Sequence, residues 1–218
     1  MSKLSFHIVQ VTPFKQNCTF LFDEESLEAV VVDPGGDLDI IKDVIQSRNF
    51  HVKQIWITHG HVDHVGGAAQ LKEDLSLTII GPHKDDAAMM GKVDEQARLL
   101  SIRMNARNAS SDRWLQDGDT LLLGTHIFKV FHCPGHSPGH VIYVNFENNF
   151  AHLGDTLFRS SIGRTDILHG DYQQLINSIN NKILPLGDEI SFVCGHGPNS
   201  TIGRERRLNP FLKSNINS

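Results

Sequence analysis

The chain has 218 residues, 39% hydrophobic and 21% charged, which suits one α/β domain with a full core and is far from a disordered composition. Its formal net charge of -5 argues against partners such as nucleic acid or anionic membrane, which call for a basic footprint. No stretch approaches the roughly 20 consecutive apolar residues of a membrane span, so neither nucleic acid nor membrane is predicted as a partner.

Strand patterns come first, at Leu4 to Val11, Thr19 to Phe22 and the apolar run Ala29 to Val32, which ends in Asp33-Pro34-Gly35. A helix is predicted next, with Asp37 as its N-cap and Ile40, Ile41, Val44 and Ile45 as its buried stripe. Gln54 to Thr58 reads as a short buried strand running into a loop, His59 to His64, with a helix from Val65 to Leu71. A strand at Leu77 to Ile80 and a polar helical stretch over about 84 to 104 follow.

The second half repeats the grammar. Thr120 to Leu123 and Ile127 to Phe131 flank the turn Gly124-Thr125-His126, and Val141 to Phe146 and Phe150 to Leu153 flank Glu147-Asn148-Asn149, each pair a predicted hairpin. A helix is predicted over Tyr172 to Ile183, with Asp171 at its N-cap and Gln174 in capping-box position. Ile190 to Cys194 is the last predicted strand, and a short helix begins near Thr201. No linker or charge block divides the chain, so residues 1 to 218 read as a single domain of two packed sheets with helices outside.

The N-terminal stretch alternates apolar with polar residues and forms no continuous apolar region, so it does not read as a signal peptide. The three cysteines, Cys18, Cys133 and Cys194, contain no CxxC and suit a reducing compartment. Cys133 and Cys194 are expected to be small buried hydrophobes at strand ends. A cytoplasmic location is expected, with an organelle reached by a cleaved presequence as the alternative.

Histidine sets the chain apart: there are 13, and many stand beside glycine. His59-Gly60-His61-Val62-Asp63-His64 places four potential ligands in six residues. No regular helix or strand aims all four at one point, but a tight loop can split them into two sets, with Gly60 letting the backbone bend and Gly66-Gly67 allowing the next helix to pack closely. Imidazole and carboxylate suit Zn, Fe(II) or Mn, and the lack of a cysteine ligand disfavours a structural zinc knot. Further candidates follow glycines at the ends of predicted strands: His136, Asp155 and His196. Loops at strand ends are where sites are usually built.

Taken in order, Thr58-His59-Gly60-His61-Val62-Asp63-His64, Pro134-Gly135-His136-Ser137-Pro138-Gly139-His140, Gly154-Asp155 and Gly195-His196-Gly197-Pro198 resemble the metallo-β-lactamase superfamily. Within it the chain most resembles the glyoxalase II, or hydroxyacylglutathione hydrolase, group. Val32-Asp33-Pro34-Gly35, Gly163-Arg164-Thr165-Asp166 and Thr201 to Glu205 leading to Asn209-Pro210-Phe211-Leu212 add to the match, which covers nearly the whole chain. The resemblance implies a four-layer αββα sandwich and a binuclear site. His59, His61 and His136 would hold one metal, Asp63, His64 and His196 the other, and Asp155 would bridge together with a hydroxide. Asp33 would accept a hydrogen bond from a ligand histidine. His140 is expected to be a buried structural residue, and His7, His51, His83, His126, His132, His152 and His169 ordinary surface or core residues. Full-length glyoxalase II continues into a helical segment that forms part of its glutathione pocket; the chain reads as the short form of the group.

The implied reaction is thioester hydrolysis, for example of S-lactoylglutathione, by a metal-bridging hydroxide attacking the carbonyl, with Asp63 and Asp155 placed at the reacting centre. The cofactors would be two divalent ions, zinc first, with iron or manganese as alternatives. Arg164 either binds an acidic part of the substrate or pairs with Asp166 in a structural turn. Two other readings of the same fold stand beside this one: a mononuclear iron persulfide dioxygenase, whose metal is held by two histidines and an aspartate, and a lactonase. A β-lactamase is disfavoured because Asp63 stands where the main class of those enzymes often has a cysteine. The partner is a small molecule, and the protein is expected as a monomer or homodimer.

Overall fold

In a computed structural model the structure describes residues 2–213. One sheet is formed by β1 (Leu4–Val11), β2 (Gln16–Asp23), β3 (Glu28–Val32), β4 (His51–Trp56) and β5 (Thr78–Ile80), in that order. β1, β2 and β3 pair antiparallel, while β3, β4 and β5 run parallel. The second sheet has the order β13 (Ser200–Thr201), β12 (Ser191–Val193), β9 (Phe150–His152), β8 (Val141–Asn145), β7 (His126–His132), β6 (Thr120–Leu123). A short hairpin, β10 (Leu157–Phe158) with β11 (Ser161–Ile162), stands apart.

The layers follow from side chains that alternate along each strand. On β3, Val30 and Val32 point between the sheets, while Ala29 and Val31 point to the helix-covered outer face. Both faces are therefore buried, which is why the strand reads as an unbroken apolar run. Trp56 anchors the space between the sheets, its ring 5.1 Å from Tyr143 and 5.2 Å from Phe128. Outside the first sheet lie α1 (Leu38–Ser47), α2 (Val62–Val65), α3 (Ala68–Leu75), α4 (Ala87–Met90) and α5 (Val93–Leu99), whose Ile41, Val65, Leu71, Met90 and Ala97 join one cluster with Val31 and Ile55. Outside the second sheet lie α6 (Tyr172–Ser178), α7 (Ile202–Leu208) and α8 (Pro210–Lys213), with Leu175, Ile176 and Ile202 packed against Ile142, Val144 and Phe192. This is the αββα arrangement read from the sequence.

Several local expectations are corrected. Asp37 sits at the N-cap position of α1 but makes no cap bond; its backbone is left-handed and its carboxylate accepts instead from the Thr12 N–H at 2.7 Å. Ile40 faces solvent at 46% exposure, so the buried stripe runs through Ile41, with Leu38, Val44 and Ile45 partly buried beside it. The helix expected from Val65 begins at Val62 and is interrupted at Gly66 and Gly67, giving α2 and α3. The helical middle is also broken, into a 3-10 turn at Lys84–Asp86, then α4 and α5. α6 stops at Ser178 and continues as a single π-helical stretch, Ile179–Ile183. Asp171 does cap α6, accepting from the Gln174 N–H at 2.9 Å.

Strand direction places the site. β3 and β4 are parallel, and so are β9 and β12, while β7 is antiparallel to β8, which is antiparallel to β9. The carboxyl ends of β4, β7, β9 and β12 lead into His59, His136, Asp155 and His196 respectively. The sheets are joined near that edge by the Asn17 N–H donating to the Gly195 carbonyl at 2.7 Å and the Val141 N–H donating to the Thr58 carbonyl at 2.8 Å.

Candidate metal centre

His59 follows β4 and is fully buried. His61 precedes α2, whose first turn carries Asp63 and His64 as consecutive residues. Consecutive helical residues point about 100° apart, so His64 turns inward while Asp63 stays partly exposed. The side chains form two sets. The ligand atoms of His59, His61 and His136 lie within 4.8 Å of one another, and so do those of Asp63, His64 and His196. His61 Nδ1 is 2.9 Å from His136 Nε2, and His196 Nε2 is 3.1 Å from Asp63 Oδ2.

Asp155 lies between the sets. Its Oδ1 is 3.5 Å from His64 Nε2, and its Oδ2 is 3.5 Å from His136 Nε2 and 3.6 Å from His196 Nε2. A Cβ at position 195 would come within 2.0 Å of Asp155 Oδ1 and 2.6 Å of His64 Cε1. The glycine before His196 is what lets the last loop close over this carboxylate.

The rings are aimed by what binds their far sides. Asp33 takes the Thr58 N–H on Oδ1 at 2.8 Å and the Thr58 hydroxyl on Oδ2 at 2.6 Å. With its proton so committed, the Thr58 oxygen accepts from His59 Nδ1 at 2.9 Å. Asp33 Oδ2 also accepts from His64 Nδ1 at 2.9 Å. His136 Nδ1 donates to the Arg164 carbonyl at 2.8 Å, and His196 Nδ1 to the Phe14 carbonyl at 3.3 Å. These four rings therefore present Nε2 to the centre. Bonding of the outer ring nitrogen in this way fixes the tautomer a metal ligand needs.

The donor set fits divalent ions. Among the described residues, His59 Nε2, His64 Nε2 and Asp155 Oδ1 are buried and have no hydrogen-bond partner. Leaving such a group unsatisfied costs about 1–3 kcal/mol, and a cation removes that cost. Burial, with neighbouring imidazoles, drives His59 and His136 well below the ordinary histidine range, and burial takes His61 to about 4 despite Asp63. Neutral imidazole is the ligating form. Burial also acts on His64, but Asp155, Asp63 and Asp33 outweigh it and raise the ring to about 10, so without an ion Nε2 holds a proton that ion binding would release. Burial raises Asp155 to about 6, while His64 and His196 overcome burial at Asp63 and hold it well below the carboxylate range.

The remaining expected residues fall as follows. His140 is buried, stacks on His59 at 4.8 Å and accepts the Asp155 N–H on Nε2 at 2.9 Å. The Arg164 side chain pairs with Asp166 at 3.0 Å and is 70% exposed, so the structure shows the turn pairing, and the contact to the centre is made by the Arg164 backbone carbonyl. A separate group, His83, Asp85 and His132, gathers potential ligands elsewhere. Its rings stack 4.2 Å apart at 21°, which sends their in-plane lone pairs alongside one another, and His132 Nε2 is already bonded to the Pro138 carbonyl. Cys133 and Cys194 are buried at strand ends, and burial pushes both thiols up to about 12.

Residues 11–196 match the sequence model of the metallo-beta-lactamase superfamily. The chain belongs to that superfamily. It is 41% identical over 212 residues, 97% of this chain and 99% of the other, to the hydroxyacylglutathione hydrolase GloC of Haemophilus influenzae. It is 32% identical over 183 residues, 84% of this chain and 67% of the other, to a hydroxyacylglutathione hydrolase of Pelagibacter ubique. Among solved structures, the BLEG-1 B3 metallo-beta-lactamase matches at 35% identity and a TM-score of 0.88, over 95% of this chain and 99% of that one. TTHA1623, crystallised in a di-iron-bound form, matches at 34% and 0.86, over 94% and 100%. The protein is a metallohydrolase with the superfamily's fold.

Sequence reasoning passes over three residues that build this superfamily site. Thr58 couples Asp33 to His59. Gln96, on α5, accepts the Val62 N–H at 3.0 Å and donates to the Gly60 carbonyl at 3.0 Å. Asp86 binds the loops that carry His59, His61 and His136. Thr58 adjoins the histidine motif, but Asp86 and Gln96 lie in a polar helical stretch that reads as a solvated face.

Proposed function

We propose that this metallohydrolase cleaves thioesters of the S-(2-hydroxyacyl)glutathione type, such as S-lactoylglutathione, using two divalent ions. The observation that carries the reading is Asp155, whose carboxylate oxygens lie 3.5–3.6 Å from His136 of one ligand set and from His64 and His196 of the other. His59, His61 and His136 would hold one ion, Asp63, His64 and His196 the other, and Asp155 both. Zinc suits these imidazole and carboxylate donors, and iron and manganese are the alternatives. When bound, such ions polarise a carbonyl as Lewis acids and lower the pKa of water towards ~7.

The protein's own part is orientation. Asp33, with Thr58, directs the Nε2 atoms of His59 and His64, and the carbonyls of Arg164 and Phe14 direct those of His136 and His196. A thioester suits this centre because its leaving thiolate, with a reference thiol pKa of about 8.5, departs without a proton from a side chain. The names of the Haemophilus influenzae and Pelagibacter ubique relatives support glutathione as the thiol carrier. Arg164 is our proposed contact for an acidic part of the substrate, since its exposed pair with Asp166 can open at little cost. A mononuclear iron dioxygenase would leave the compact Asp63, His64 and His196 set without a task. We place the protein in the cytoplasm as a single-domain monomer or homodimer. The net charge of -5 and three buried free cysteines fit that setting, and no helix among the described residues is long and apolar enough to cross a membrane.

The test is turnover of S-lactoylglutathione beside other thioesters, a lactone and a β-lactam, with metal content measured on the same sample. Preference for the glutathione thioester at two ions per chain supports the reading. β-Lactam hydrolysis is the second reading, favoured by the likeness to BLEG-1, and a preference for the β-lactam would replace the first.

A further inference from the structure

Asp86 is fully buried, and its carboxylate is occupied by loops that carry ligands. Oδ2 accepts the Gly60 N–H at 2.8 Å and the Ser137 hydroxyl at 2.7 Å, and Oδ1 accepts the Gly139 N–H at 2.6 Å. Gly60 lies between His59 and His61, and Ser137 follows His136. Every histidine of the first set thus adjoins a group held by this one side chain. The second set is held differently, with His64 on Asp33 and His196 on the Phe14 carbonyl.

The approach is built in. A Cβ at position 139 would lie 2.6 Å from the Asp86 nitrogen and 2.7 Å from its carboxyl carbon, and one at position 60 would lie 2.9 Å from Met89 Cβ. The segment around Asp86 is stapled to the same loop, since the His83 N–H donates to the Gly139 carbonyl at 3.0 Å and the Asp86 N–H to the His83 carbonyl at 3.1 Å. Gly60 therefore serves close packing more than the bend expected of it. Burying a carboxylate costs several kcal/mol unless it is well satisfied, and three donors on one carboxylate make strong charge-assisted bonds.

We propose that Asp86 is a positioning residue that sets the affinity of the His59, His61 and His136 site, and not that of its neighbour, by holding two loops at the spacing an ion requires. The proposal rests on the two-ion reading above.

Asp86→Asn is the perturbation. An amide has one acceptor oxygen where the carboxylate has two, so either the Gly60 or the Gly139 N–H must face an NH2 group. The change is made in two backgrounds, His196→Ala, which breaks the second set, and His136→Ala, which breaks the first. Each metal-free protein is titrated with zinc against a competing chelator. The ion retained in His196→Ala should weaken by about 10–100-fold, the usual effect of removing a supporting partner, while the ion retained in His136→Ala should be unaffected. Equal weakening in both backgrounds, or none in His196→Ala, overturns the proposal. Ser137→Ala removes one donor and spares the carboxylate; it should weaken the same site, and it decides the matter if Asp86→Asn fails to fold. A wild-type chain that binds a single zinc overturns the two-ion reading itself. Two zinc ions in the wild type with no effect of either substitution overturn only the role of Asp86.

Discussion

Replacing Asp33 by asparagine tests how one buried carboxylate governs both ligand sets. The backbone tolerates the change, because Asp33 has φ 54° and asparagine is at ease in the left-handed region. The side-chain shape is kept, but one oxygen becomes an NH2 group. If that group replaces Oδ1, it faces the Thr58 N–H, a donor against a donor, at a cost of about 1–3 kcal/mol. If it replaces Oδ2, it donates to His64 Nδ1, the ring proton moves to Nε2, and the inward lone pair is lost. The Thr58 hydroxyl then also loses its acceptor, and with it the support of His59. Each ion is expected to bind about 10–100-fold more weakly. At free zinc of about 1,000 times Kd, a site stabilises the fold by ~4.1 kcal/mol, and a hundredfold weaker site by ~1.4 kcal/mol. The difference of ~2.7 kcal/mol per site corresponds to roughly 5–11 °C in Tm for a chain of this size. Thermal unfolding in fixed excess zinc and in chelator provides the assay. The gap between wild type and Asp33→Asn should be much wider in zinc than in chelator. An equal gap in both would show that Asp33 supports the fold alone and not the ion sites.

Thr58→Val should weaken the His59, His61 and His136 site while leaving its neighbour unchanged, because the hydroxyl bonds to His59 and no other ligand; zinc titration of the His196→Ala and His136→Ala backgrounds distinguishes the two. Arg164→Ala should raise KM with metal content unchanged, since His136 uses the backbone carbonyl of residue 164; an unchanged KM would confine the side chain to its turn. Acid unfolding should report on Asp23: burial pushes this carboxyl up, but hydrogen bonds from Ser26 and His126 prevail and hold it well below the ordinary range. A depressed folded pKa contributes stability above the unfolded value of about 3.9 and loses it as pH falls. Asp23→Asn should therefore be less stable at pH 7 and show a flatter decline below about pH 4 in urea midpoints; an identical acid limb would contradict the assignment.

The αββα layers were legible because both faces of β3 are covered, which leaves the uninterrupted apolar run Ala29 to Val32. The candidate ligands were legible because they are dense, chemically distinctive and placed just after strands. Positions decided by distant partners were not legible. Asp37 has a cap's sequence context, yet its carboxylate goes to Thr12, 25 residues away. Asp86 takes its donors from 26, 51 and 53 residues away, so nothing in its neighbourhood separates it from a solvated helix face. The early start of α2 has the same origin: the loop ends where the Val65 N–H finds the His61 carbonyl at 3.0 Å, which places Asp63 and His64 on a helical turn.

In the proposed centre, seven side chains enclose two ions with Asp155 between them. A crystal structure of zinc-loaded protein, with anomalous difference maps at the zinc edge, tests it most directly. Two peaks are predicted, one among His59, His61 and His136 and one among Asp63, His64 and His196, each within reach of an Asp155 oxygen. A single peak, or a second one remote from Asp155, would rule out a two-ion centre bridged by this carboxylate.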